Sequence, residues 1–161
     1  MDGKNLRLAV ALAAFAVAIF LTLLWQPTRQ VRLHQRHFLK AVEKRKWETV
    51  RGFIGAEYRD RWGHDKENVI GQASQVFGQF LFCNIAAEEH SLILADDAGT
   101  IGVRLAVTGS GSPIADMVKQ RVNSLTEPFI FKWAHRSWKP WDWELTEVDQ
   151  PQLDIAEMPD L

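Results

Sequence analysis

Glu88 and His90 stand two residues apart, just ahead of the alternating Leu92 and Leu94. On a strand such a pair points to one face. A carboxylate beside an imidazole there has the makings of a general acid–base pair, each group moving the other's pKa towards a working range. His135, which closes the alternating series Phe129, Phe131, Trp133, and Tyr58, the single tyrosine, are the other polar groups that could join them. Proton transfer of the lyase or isomerase kind would need no cofactor, and none is expected. The competing reading leaves Glu88 and His90 near a strand end, exposed or hydrogen-bonded at a rim. Sequence alone assigns no catalytic residue.

Other reactive side chains read as structural. His34 and His37, three apart on a helix, with His64 and Glu67 further on, come nearest to a metal-ligand set. Two histidines without a matched third ligand fit surface histidines better, so no metal site is expected. The single cysteine, Cys83, excludes an intramolecular disulfide and any multi-thiolate site. It has no histidine spaced as a partner and reads as a buried, inert thiol. Ser110-Gly111-Ser112 lacks the strand–helix setting of a phosphate loop or nucleophile elbow. Asp60, flanked by Arg59 and Arg61, is expected in a surface ion pair.

The chain has 161 residues, room for one domain and an appendage. With 47% hydrophobic and 24% charged residues, wholesale disorder is excluded. The net charge of −1 hides a split: residues 1–80 carry 13 Lys/Arg against 7 Asp/Glu, residues 81–161 carry 6 against 13. An acidic second half argues against a nucleic-acid partner.

Residues 8–25 form an uncharged apolar run of 18 residues, about 27 Å as a helix and near the thickness of a bilayer's hydrocarbon core. It follows a short basic N-tail (1–7), lacks a small-x-small cleavage site and ends at Trp25, suited to a headgroup boundary. The expectation is a single-pass, uncleaved signal-anchor in a membrane. Basic residues flank both ends, so the side carrying the domain stays open: positive-inside control favours a cytoplasmic domain, whereas a short basic N-tail also begins exported anchors. Residues 26–46 read as a basic juxtamembrane helix behind Pro27. Val31, Phe38 and Val42 share one face, and Arg29, Arg32, Arg36 and Lys40 form a stripe on another. That stripe is either a lipid-facing surface for anionic headgroups or a solvated face that also sets topology.

Three helices precede the strands. Trp47, Val50, Ile54, Tyr58 and Trp62 share a helical face that Gly63 closes, and a further helix follows Asp65 as N-cap, with Val69, Ile70, Ala73, Val76, Phe77, Phe80 and Leu81 inward. Two hairpins come next. In the first, Asp96 to Gly99 turns and Ala95 pairs with Thr100, which sets His90 opposite Leu105 and Glu88 opposite Val107. In the second, Trp133 faces Trp143 and Phe131 faces Leu145, joined by Arg136 to Pro140. An amphipathic segment from Ile114 to Leu125 bridges them. Trp138 and Trp141, at the second turn, either cap the hairpin or anchor a partner. An acidic tail, 150–161, is expected to be disordered.

Helices first and antiparallel strands later make an α+β fold, the helices packed on one face of a bent antiparallel sheet. Over residues 34–149 this order resembles the nuclear transport factor 2-like superfamily, with its SnoaL-like members. The likeness rests on Trp47-Glu-Thr-Val-Arg-Gly-Phe-Ile, on Tyr58-Arg-Asp-Arg-Trp62 and on the aromatic strands Phe129-Ile-Phe-Lys-Trp133 and Trp141-Asp-Trp143. The resemblance implies a cone-shaped domain with a pocket between helices and sheet; Trp47, Ile54, Tyr58, Phe77, Leu92, Phe131, Trp133 and Trp143 are expected to line that pocket or the core. Enzymes of the superfamily use an Asp base or a His/Asp dyad with a Tyr, a motif that does not map residue by residue onto this chain. In outline the layout resembles the bitopic assembly factors of type IV secretion. The expected function is a membrane-anchored, non-catalytic binding or scaffolding module, its partner another protein or a second copy through the sheet. A pocket enzyme using Glu88 and His90, or an anionic-lipid surface module, are the alternatives.

Overall fold

A computed structural model of the chain describes residues 3–153, with side chains described for 8–22 and 25–153. Helix α1 (Gly3–Leu24) is followed by α2 (Pro27–Glu43). Proline's fixed φ suits the start of a helix and its missing N–H spoils the interior, so the helix breaks before Pro27 and restarts there. The axes of Leu8–Thr22 and Pro27–Glu43 differ by 68°. No single helix among the described residues is long and apolar enough to cross a membrane; these two pass only as a bent pair. The expected single-pass anchor over 8–25 is therefore not shown by the helix itself. The second member of the pair, moreover, is committed to the domain. α2 buries Val31, Phe38 and Val42 as its periodicity requires, together with Gln35, Leu39 and Ala41.

α2 lies directly on the sheet because Gly99 has no side chain: a Cβ there would come within 2.7 Å of Val31 Cγ2. The next helix, α3 (Trp47–Phe53), stops well short of the Trp62 that its apolar spacing predicts. Ile54 turns extended and forms a parallel bridge to Leu145, and the Gly55 N–H donates to the Leu145 carbonyl at 2.9 Å. Pairing with the sheet satisfies the same backbone groups that another helical turn would, and adds burial, so a short helix gives way. Tyr58 and Trp62 therefore sit in a loop, although Tyr58 is still only 1% exposed. α4 (Lys66–Gly78) begins where expected, capped by Asp65 Oδ1 accepting from the Asn68 N–H at 2.9 Å.

Four antiparallel strands follow, β1 (Phe80–Ala95), β2 (Ala98–Gly111), β3 (Phe129–His135) and β4 (Trp143–Asp149), in the order β1-β2-β3-β4, with α5 (Pro113–Ser124) between the second and third. Both hairpin registers differ from expectation. Asp96 and Asp97 alone make the first turn, with Asp96 at φ 51°, so Leu92 faces Ile101 and Leu94 faces Gly99. A bulge between Glu89 and Ser91 then inverts the alternation. Before it, Ile85, Ala87 and Glu89 face the helices; after it, Leu92 and Leu94 do. A second bulge leaves Leu81, expected in the core, 83% exposed. In the other hairpin Trp133 faces Leu145 and His135 faces Trp143, in one register that shifts only beyond Trp133, at Lys132.

The main core gathers Val31, Phe38, Val42, Val50, Tyr58, Ile70, Ile101, Val103, Phe131 and Trp133 between helices and sheet. Edge-to-face contacts of Trp133 with Phe38 and Phe53, at 6.1 and 6.3 Å between ring centroids, fix the helical layer over β3. The described chain ends in a packed strap. Gln150 is fully buried, its amide donating to the Glu127 carbonyl at 2.7 Å, and the Trp62 indole donates to the Leu153 carbonyl at 3.0 Å. The folded domain thus continues to Leu153; residues 154–161 of the expected tail lie outside the described residues.

Candidate functional site

Between α4, α5 and the concave face of the sheet lies a cavity of about 540 Å³. Its walls are overwhelmingly apolar: Val69, Val76 and Phe77 from α4, Val118 and Val122 from α5, Leu105 and Phe131 from the sheet. Such a volume and lining suit a small organic ligand rather than water alone. Most of the polar groups gather on one wall, where the loop after α3 delivers Tyr58, Asp60 and His64 beside Gln72 of α4, which also contributes Gln75.

The Asp60 side chain is 2% exposed. Its Oδ1 accepts from the backbone N–H groups of Trp62 and His64 at 3.0 and 2.8 Å, and its Oδ2 lies 2.8 Å from His64 Nδ1. With the proton on Nδ1, His64 Nε2 becomes the acceptor for the Gln72 amide at 3.0 Å. The loop closes on itself through the Asp60 N–H to the His64 carbonyl, and Gly63 at φ 85° provides the left-handed residue inside that turn. Beside it, burial raises the Tyr58 phenol above its ordinary pKa and the Asp60 carboxylate raises it further, against a smaller opposing effect of the Val148 backbone. Tyr58 therefore stays a neutral hydroxyl. This wall offers a carboxylate-oriented imidazole, a phenol and an amide to whatever polar atom a ligand carries.

The surface ion pair expected of Asp60 is overturned: it is buried, and its partners are two backbone amides and an imidazole. The apolar spacing from Trp47 to Trp62 puts Asp60 near the end of a helix that instead stops at Phe53. The available signal was the four-residue spacing from Asp60 to His64.

Glu88 and His90 lie elsewhere. Both are exposed on β1, and neither lines the cavity. The bulge at His90 is the reason, since it turns Glu89 inward in place of its neighbours. His135 also misses the cavity. It stacks on Trp143 at 4.9 Å, and its Nε2 meets the Lys139 carbonyl at 2.7 Å. Of the expected lining residues, Ile54, Tyr58, Phe77 and Phe131 reach the cavity. Trp133 and Trp143 are buried in the core, while Leu92 and Trp47 pack against it, Trp47 edge-on to Phe77 at 6.1 Å. Trp138 and Trp141 are exposed, at 74% and 58%.

The histidines weighed as metal ligands do not assemble. His34 has both ring nitrogens at carbonyl oxygens, of Gln30 and Trp141, and His64 is held by Asp60 and Gln72. Among the described residues no three His, Cys, Asp or Glu side chains gather as a metal set. Cys83 is half-buried, and burial first, then Glu43, push its thiol pKa up, away from nucleophilic use.

No family model matches the chain, and no curated protein matches it. Solved structures do. The chain is similar to a conserved protein from Planctomyces limnophilus at 12% identity, covering 73% of this chain and 89% of that one, with a TM-score of 0.55. An NTF2-like protein of unknown function in nutrient uptake from Rhodospirillum rubrum is similar at 12% identity, with coverage of 73% and 93% and a TM-score of 0.52. An NTF2-like protein from Cytophaga hutchinsonii is similar at 14% identity, with coverage of 75% and 94% and a TM-score of 0.50. The fold is therefore nuclear transport factor 2-like, an α+β layer of helices on a four-stranded antiparallel sheet.

Proposed function

We propose that this chain is a membrane-tethered binding module that holds a small, mainly apolar ligand with one polar group in the cone cavity. The cavity of about 540 Å³, mainly apolar, with Gln75 on α4 and the Tyr58–Asp60–His64–Gln72 wall as its polar groups, is the observation that carries the reading. Apolar surface left facing so large a space is stabilised by filling it, and the polar wall gives the ligand one orientation. The tether rests on the uncharged run 8–25, whose side chains such as Leu8, Leu12 and Phe15 are more than half exposed. A protein partner, or a second copy on the outer sheet face, is the scaffolding form of the same module.

The test uses the full chain in non-ionic detergent with neutral N-phenyl-1-naphthylamine, read as emission sensitised by tryptophan. Probe dissolved in micelles is common to all samples, so the cavity component is the difference between wild type and Leu105→Trp, which fills the space. Saturable emission lost in that variant supports the reading; identical titrations overturn it. Alkaline extraction of membranes tests the tether, which fails if the chain is released.

A second reading, lyase or isomerase chemistry, is favoured by one arrangement: the Asp60–His64 pair, which faces the cavity as Glu88 and His90 do not. Asp60 would hold the imidazole in one tautomer, His64 Nε2 would exchange Gln72 for a substrate proton, and neutral Tyr58 would donate to a developing oxyanion. Turnover abolished in Asp60→Asn with probe binding retained would mark this reading.

A further inference from the structure

A second concavity, of about 610 Å³, lies between α2 and the edge strand β1 and adjoins the first at Leu39 and Ile85. Its floor is apolar, made of Leu39, Ile85, Ala87 and Val103, and its rim is basic. Arg32 and Lys40 on that rim are neutralised within the fold. Arg32 makes a two-pronged bond to Glu89 at 2.7 Å on each side, and Lys40 bonds Glu43. Arg36, between them on the same helical face, is exposed and has no ion-pair partner among the described residues. Deeper in the groove wall stands Gln35, only 3% exposed. Its Oε1 accepts from the Trp133 indole N–H at 3.0 Å, which fixes the orientation of the amide, and its Nε2 has no hydrogen-bond partner. A buried amide donor without an acceptor is costly, and native proteins rarely carry one without a use.

We infer that the groove between α2 and β1 is a binding site for an organic anion, a carboxylate on an apolar body, with the carboxylate received by Arg36 and the Gln35 amide and the body laid on the Leu39–Ile85–Val103 floor. Both polar groups are donors only, so they match an acceptor and reject an ammonium. The flanking ion pairs leave Arg36 as the one uncompensated guanidinium on this rim, so the charge it seeks is single. The site shares Leu39 and Ile85 with the cone cavity, but its polar groups, Arg36 and Gln35, line this groove alone.

The experiment titrates 4-phenylbutyrate into the isotopically labelled full chain in non-ionic detergent, with 4-phenylbutan-1-ol as neutral control. Side-chain amide and guanidinium resonances are followed by NMR. Saturable shifts at the Gln35 amide are expected, weakened about tenfold or more by Arg36→Gln and by raised salt, with the alcohol failing to reproduce them. Arg36 is exposed, so its replacement leaves the fold intact. Leu105→Trp, which fills the cone cavity, should leave the shifts unchanged. The inference is overturned if no saturable shift occurs, if Arg36→Gln binds as wild type does, or if Leu105→Trp abolishes binding, which would place the ligand in the other cavity.

Discussion

Asp60 Oδ2 lies 2.8 Å from Nδ1 of His64, four residues on, in a loop that the carboxylate itself ties by accepting two backbone amides. One buried side chain thus shapes the loop and aims the imidazole at the cavity wall. Structure and site are inseparable at this residue, which makes their contributions measurable by graded substitution.

Asp60→Ala leaves the Trp62 and His64 amides and the imidazole without their acceptor, and should destabilise the fold by about 2 kcal/mol or more. Asp60→Asn keeps an acceptor for the amides and should cost less, while releasing the tautomer of His64. Urea unfolding compares them; equal losses would mean that the carboxylate does not organise the loop.

Trp133 and Gln35 form a buried donor–acceptor pair across the α2–sheet interface. Trp133→Phe conserves most of the ring packing but strands the Gln35 amide entirely, and should cost about 1–3 kcal/mol in unfolding free energy. A change within 0.5 kcal/mol would show that water satisfies Gln35.

Acid should weaken the joint between α2 and β1. Glu43 is held below the ordinary carboxylate range by the Ile85 N–H first and by Lys40 second, and Glu89 is lowered in the same way by Arg32. A carboxyl depressed in the folded state contributes stability that is present above its unfolded value, 4.5, and lost as pH falls through the folded one. Glu43→Gln still accepts from Ile85 but does not titrate. Its stability should fall less than that of wild type between about pH 7 and about pH 3, as read by urea unfolding. An equal fall would remove Glu43 from the account.

The strap that ends the described chain closes the cavity. Gln150→Ala removes the bonds to the Glu127 carbonyl and the Gln152 N–H, frees Leu153 from the lining, and should lower stability by about 1–3 kcal/mol. Exchange of N-phenyl-1-naphthylamine should quicken in stopped flow; unchanged exchange with lowered stability would make the strap purely structural.

Glu88→Gln with His90→Ala should alter neither probe binding nor stability beyond about 0.5 kcal/mol, since both side chains are exposed and outside the cavity. A larger loss of probe binding would bring β1 into the ligand site.

What the sequence determined by itself is what depends on period and local chemistry. Val31, Phe38 and Val42 mark the buried stripe of α2, Pro27 its start, Asp65 the cap of α4, and the alternating aromatics of β3 their inward face; each is decided within one or two turns or one strand. Helix-then-hairpin order was enough to reach the α+β layer. Tertiary structure decided the rest. Ile54 leaves the helix because a strand lies beside it to accept its pairing, which sequence periodicity does not register. A one-residue bulge at His90 exchanges which side chains face inward, and the two hairpin registers follow from the lengths of their turns. Asp60 became the organising residue of the site through the loop that this unwinding created. Glu88 and His90 share a strand face in sequence but not the cavity, and Asp60 and His64 line it instead, because facing a cavity is a property of the assembled surfaces and not of the spacing along one strand.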